Sequence, residues 1–134
     1  MDAAELKARA EDREISFGHL RRHVTNARIP IRAIAYYPAK DKDLAKSLQH
    51  CGFEVTAVDS KSATNITIAI DAMALADRVD CVILVPGTNS LAHLAKTLRA
   101  RGVRVESASF DEAGEAKLGA NEHQCVGSES CFVV

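Results

Sequence analysis

Short apolar runs recur along this chain, and each pair is separated by enough residues for one helix. That spacing restricts the fold more than any other feature. The runs are Ile31 to Tyr37, Phe53 to Val58, Cys81 to Val85 and Val103 to Ser107. Cys81 to Val85 is continuously apolar, as in a strand buried on both faces. The intervening stretches carry helix start and stop signals. Ser16 can cap a helix from Phe17 to about Asn26, and Asp41 or Asp43 one that ends at Gly52. Asn89 or Ser90 can cap a helix with Leu91, Leu94, Ala95 and Leu98 inward, ended by Gly102. Strands joined through helices of this length imply right-handed crossovers and parallel pairing. The expected fold is α/β, a three-layer α/β/α arrangement with a mostly parallel sheet of four to five strands.

Other segments leave choices open. Ala3 to Arg13 is rich in helix formers. Pro38 should end the first strand, because proline cannot continue a ladder. Asp59 to Thr64 reads as a polar connector. In Asn65 to Ala76, alternating isoleucines allow a strand, but the alanines and the lone Asp71 favour a helix. Glu112 to Val134 reads as one short helix and a terminal extended piece, Cys131 to Val134.

With 134 residues and 47% hydrophobic content, the chain is one globular domain with one core of useful size. The formal net charge is −1, so bulk charge does not favour nucleic acid or a membrane, although local basic patches are compatible with it. The polar start, Met1 to Arg13, is unlike a secretory signal, and no apolar run reaches membrane-spanning length. The expected location is the cytoplasm, with reduced cysteines. His123, Cys125 and Cys131 are near in sequence, but a fourth zinc ligand is lacking. No nucleophile elbow, dinucleotide glycine pattern or P-loop lysine is present.

In parallel sheets, sites form beyond the carboxyl ends of the strands. Here that edge is Tyr37 to Lys40, Asp59 to Asn65, Pro86 to Ser90 and Ser107 to Phe110. The ordered series through it is Gly52-Phe53-Glu54-Val55, Asn65-Ile66-Thr67-Ile68-Ala69-Ile70-Asp71, Val82-Ile83-Leu84-Val85-Pro86-Gly87-Thr88-Asn89-Ser90 and Arg101-Gly102-Val103-Arg104-Val105. The series resembles the NYN branch of the PIN-like nucleases, the LabA-like proteins, from about Ser16 onward. Ala120-Asn121-Glu122-His123 is similar to the closing segment of that family.

The resemblance implies a cluster of carboxylates holding Mg2+ or Mn2+ for cleavage of single-stranded RNA. Hydrolysis of a phosphodiester needs such an ion to neutralise charge and activate water, and hard cations take carboxylate oxygens. This sequence departs from the pattern. The acid that opens the long helix falls on Asn65, the turn acids fall on Thr88 and Ser90, and Pro86 replaces the first serine of the turn. Asp71 matches the later helix acid, and Met1-Asp2-Ala3-Ala4-Glu5-Leu6 resembles the first motif, which matches Asp2 to an acid ending a first strand. No strand is visible before it. Either the flanking strands then pair directly, or the sequence starts late.

Asp71 is therefore the catalytic candidate, and Asp71 with Asp2 is the candidate metal pair. Asn65, Gly87, Thr88, Asn89 and Ser90 form a candidate binding edge. A glycine-led turn at a helix start can cradle phosphate, whereas Asn and Ser there also serve as simple caps. Asp71 reads equally as a polar residue on a partly exposed face, and Asn65 as an N-cap. His19 and His23 flank Arg21 and Arg22 on one helical face, which reads as a solvated basic surface before a metal pair. Lys96, Arg99, Arg101 and Arg104 could reach phosphates or merely solubilise, and Tyr36 or Tyr37 could stack on a base. Three readings follow. The first is a nuclease-fold domain with weak or no catalysis that binds RNA or a partner. The second is a metal-dependent endoribonuclease using Asp71 with Asp2 or Asp59. The third is a homodimeric assembly module without membrane contact.

Overall fold

The computed structural model describes residues 1–5, 16–85, 89–109 and 122–125. Its elements in chain order are α1 (Phe17–Thr25), β1 (Ile34–Pro38), α2 (Lys42–His50), β2 (Glu54–Val58), α3 (Lys61–Leu75), β3 (Cys81–Leu84), α4 (Ala92–Ala100), β4 (Arg104–Ser109) and β5 (Glu122–Cys125). All the strand pairs are parallel: β1 with β2, β3 with β4, and β4 with β5. The chain is thus an α/β protein with helices on both faces of a parallel sheet.

The two halves of the sheet meet across only two residues. The Asp2 amide donates to the Val85 carbonyl at 2.8 Å, and the Tyr36 amide donates to the Met1 carbonyl at 2.7 Å. The Met1 amino group donates to the Ile34 carbonyl at 2.6 Å. Met1 and Asp2 therefore lie between β1 and β3, bridged in parallel to Tyr36. The order across the sheet is β2, β1, Met1–Asp2, β3, β4, β5. The flanking strands do not pair directly. Asp2 ends this short extended piece by accepting the Glu5 amide at 3.0 Å, which starts a helical turn at Ala3.

Alternation along the strands divides the core into two layers. Tyr36, Val58, Leu84 and Val105 pack with Ile68 and Ala72 of α3 and with Leu94 and Leu98 of α4. Ala35, Val85 and Ala108 pack on the other face with Phe17, Leu20 and Val24 of α1 and with Leu44 and Leu48 of α2. The α2–β2 and α4–β4 turns share one geometry. Gly52 and Gly102 adopt positive φ, and the next amides return to Leu48 and Leu98 at 3.1 Å each. Satisfying the last helix carbonyls in this way requires the left-handed conformation that glycine tolerates.

Ser16 and Asp41 cap α1 and α2 as their positions suggest. Four expectations need correction. The first ladder begins at Ile34 rather than Ile31, and it ends at Pro38 as expected, with the proline itself as the last paired residue. By alternation, the position of Pro38 faces the Met1–Asp2 side, where the chain has already turned helical at Ala3, so no amide is needed there. The connector after β2 is Asp59 and Ser60 alone. The Ser60 hydroxyl accepts the Ala63 amide at 3.1 Å, and Thr64 returns its hydroxyl to the Ser60 carbonyl, so these polar residues belong to α3. Asn65 accordingly sits in the second turn of α3 and is not its cap. Asn89–Leu91 forms a 3-10 turn, and α4 begins behind Leu91 without a side-chain cap. β5 is a strand that periodicity did not indicate. The expected helix in the tail and the piece Cys131 to Val134 lie outside the described residues, as do the side chains of the candidate zinc set His123, Cys125 and Cys131.

Candidate functional site

The carboxyl edge of the sheet gathers residues from four connections. Asp2 arrives from the centre, Lys40 follows β1, Lys61 opens α3 after β2, and Ser90 follows β3. Asp2 is buried, and its carboxylate is engaged as the helix cap. Burial pushes its pKa up, and the Glu5 amide opposes that shift. Glu5 in turn pairs with Lys61 at 2.9 Å. Asn65, half-buried, follows one turn down α3 from this pair. Ser90 is exposed in the 3-10 turn. Gly87 and Thr88 lie outside the described residues, and Asn89 contributes only its backbone to the description.

Asp71 is placed elsewhere. Helix α3 starts at the carboxyl edge and descends, so Asp71 lies about 9 Å further along its axis than Asn65. There its Oδ2 accepts the Tyr36 hydroxyl at 2.8 Å. Burial raises the pKa of that hydroxyl, and the bond to Asp71 raises it further. Arg32 and Glu54 form a bidentate pair nearby, with both N–O distances at 2.9 Å. Asp71 and Tyr36 face a cavity between β1 and β3, below the carboxyl edge. The groups that act on the Asp2 carboxyl are Glu5, the amino terminus and Lys61. The Asp2 carboxylate holds the Glu5 amide, and the Asp71 carboxylate holds the Tyr36 hydroxyl.

A divalent ion of the Mg2+ type needs several converging oxygens at about 2 Å. The described donors do not form such a set. Asp71 holds a hydroxyl, Asp2 caps a helical turn, and Asn65 and Ser90 are neutral. Among the described residues, no three His, Cys, Asp or Glu side chains are grouped to hold a metal. His19 and His23 are exposed on α1.

The other candidates resolve as follows. Tyr36 is 4% exposed and belongs to the core, so it offers no stacking face, and Tyr37 is half-buried. Of the second basic group, Arg101 pairs with Asp77 at 2.7 Å, and Arg104 Nε donates to Glu106 at 3.0 Å. Lys96 is exposed. Sequence reasoning missed Glu106. Its carboxylate, 4% exposed, receives a fork from Arg28 at 2.6 and 2.9 Å. That fork, ahead of Arg104, holds its pKa down at about 2 despite burial. The contact joins positions 78 residues apart, and no local pattern announces it. Cys81, expected in the core, is half-buried beside this group, and its thiol pKa is raised by burial first.

These features define a PIN-like α/β/α domain. The family model for the NYN domain matches residues 1–126, and the chain belongs to the NYN domain family. A crystal structure of a protein of unknown function from Vibrio parahaemolyticus has a similar fold, with a TM-score of 0.81 at 19% identity over 96% of this chain and 88% of that one. No curated protein matches the sequence. Among the described residues, no helix is long and apolar enough to cross a membrane.

Proposed function

We propose that this NYN domain binds single-stranded RNA at the carboxyl edge of its sheet and has little or no metal-dependent cleavage. Family membership supports the nuclease fold and the class of ligand. The observation that carries the reading is the separate engagement of the acids: Asp71 by Tyr36, and Asp2 by the Glu5 amide. An edge with Asn65 and Ser90 at the acid positions keeps hydrogen-bonding groups while removing charge, which suits contact with phosphate better than a cation. Lys40, Lys42 and Lys61 stand at the same edge, all exposed.

The test is a labelled single-stranded RNA incubated with the purified protein and Mg2+ or Mn2+. Retained binding without turnover is expected. Binding should weaken with salt and with Lys40→Ala plus Lys42→Ala. No binding at low salt refutes the RNA assignment.

One observation favours a second reading. Asp2 stands at the end of the extended piece in the middle of the sheet, the place the family resemblance gives to its first acid. Metal-dependent turnover lost in both Asp2→Asn and Asp71→Asn would establish an endoribonuclease and overturn the binding-only proposal.

A further inference from the structure

Helix α3 is apolar on the side that faces away from the core. Thr64, Ile68 and Ala72 form its buried row. The opposite side presents Ala63, Ile66, Ile70 and Ala74, and the two isoleucines are 61% and 63% exposed. From Ser62 to Ala76 the one charged residue is Asp71, whose carboxylate holds the Tyr36 hydroxyl. The exposed faces of α1, α2 and α4 do carry charge, as at Arg22, Lys46 and Lys96. A helix that is apolar all round is one that is buried. At a solvated position lysine or glutamate would also form helix better than isoleucine does. Ile66 and Ile70 thus leave apolar surface in water and weaken the helix, and burial against another molecule removes the first of these costs.

The pattern on this side complements its own reverse. Ala63, Ile66, Ile70 and Met73 follow one another at steps of three, four and three, the spacing of a seam between two nearly aligned helices. About a twofold axis at Ile70, an antiparallel copy sets Ile66 against Ala74 and Thr67 against Met73. Ile70 then meets its own equivalent. Large side chains face small ones, which lets the helices approach closely. Charge selects the same orientation. Lys61 opens α3 and Asp77 stands just past its end, with side chains 75% and 81% exposed. Antiparallel packing brings each toward the opposite sign, whereas parallel packing sets like against like.

We propose that this side of α3 is the interface of a homodimer, in which α3 of a second copy packs antiparallel across a twofold axis at Ile70. The contact is isologous, so one face serves both subunits. A single helix pair covers less than the roughly 800 Å² per partner of a standard stable interface, so the dimer is weak and reversible. The proposal does not depend on the RNA assignment.

Sedimentation of the full chain between about 5 and 500 μM should show a monomer–dimer equilibrium. The pair Ile66→Lys and Ile70→Lys should weaken association at least about tenfold, with circular dichroism unchanged because both side chains are exposed. Cysteine substitution reads the axis itself. Helices about 8–10 Å apart place the two Cα atoms at the crossing about 4–6 Å from each other, within the span of a disulfide. Oxidised Ile70→Cys should therefore form a covalent dimer beyond the background of the unsubstituted chain. Ile66→Cys alone should not, because its two copies stand about 12 Å apart along the axis. Ile66→Cys mixed with Ala74→Cys should link. A chain that stays monomeric throughout the range overturns the proposal and leaves the face to a different partner. A dimer indifferent to the lysine pair overturns it as well, as does linkage of Ile66→Cys as ready as that of Ile70→Cys. The cysteine variants decide the matter even if the lysine pair unfolds the chain.

Discussion

Glu106 provides the sharpest test of the electrostatics that tie the segment after α1 to β4. Its carboxylate is enclosed on β4, forked by Arg28 and touched by Arg104. Its pKa falls from an ordinary 4.5 to about 2, with the Arg28 fork as the largest cause. A depression of that size corresponds to at most about 3.4 kcal/mol of preference for the charged form. Arg28 is 45% exposed, so water screens the pair and the usable contribution is nearer 1–2 kcal/mol. Because the folded pKa is depressed, the contribution is complete above about 4.5. It is lost as the pH falls through 4.5 toward 2, where the folded state also protonates. Urea unfolding of the protein and of Glu106→Gln at several pH values reads this directly. The variant should be less stable by about 1–2 kcal/mol at neutral pH, and the two curves should converge near pH 2–3. Removing the carboxylate leaves two arginines that can turn to solvent, so no buried cation is stranded. A stability difference that stays constant from pH 7 to 3 would refute the argument, because it would show that the glutamine loses packing rather than charge.

Two further substitutions test the local geometry. Tyr36→Phe removes the hydroxyl from Asp71 while keeping the buried ring, and it should lower stability by about 1 kcal/mol in urea unfolding. A neutral or stabilising result would mean that the Tyr36–Asp71 bond does not hold in solution. Ser60→Ala should cost about 1 kcal/mol by loss of the α3 cap, and Ser60→Asp should retain the stability. If alanine proves harmless, α3 does not begin where the serine places it.

Where a helix or strand depends on its own residues, the sequence was readable. Ser16 and Asp41 announce helix starts through their side chains, and Gly52 and Gly102 announce stops through their backbones. The apolar runs gave the strands because a buried parallel strand has no polar face to confuse the pattern. The failures have a common cause: pairing from outside the segment. Met1 and Asp2 are too few to show periodicity, and they are extended only because Tyr36, Ile34 and Val85 bond to them. Glu122–Cys125 is polar, yet it is a strand because β4 offers it an edge. The Tyr36–Asp71 and Arg28–Glu106 contacts join distant positions and leave no trace in either neighbourhood.

The candidate site shows how one boundary can change a functional reading. With the helix start placed at Asn65, that residue is a terminal group open to the sheet edge, and Asp71 lies within the first two turns below it. Ser60 moves the start to Lys61. The spacing between the two is unaffected: six residues in a helix amount to about 9 Å of rise and about 120° of rotation. Side chains that cooperate on one helical face stand three or four residues apart. Asn65 and Asp71 therefore address different surroundings however the helix begins, and only another element could bring a second acid to either. The chain supplies Tyr36 to Asp71, a hydroxyl donor that occupies the carboxylate instead of adding to its charge. The boundary shift decides the other half of the matter. It brings Lys61 to the edge, where that lysine pairs with Glu5 beside Asp2. Under the proposed RNA-binding reading, that lysine beside Asp2 and Glu5 supplies a cation at the edge for a phosphate to meet.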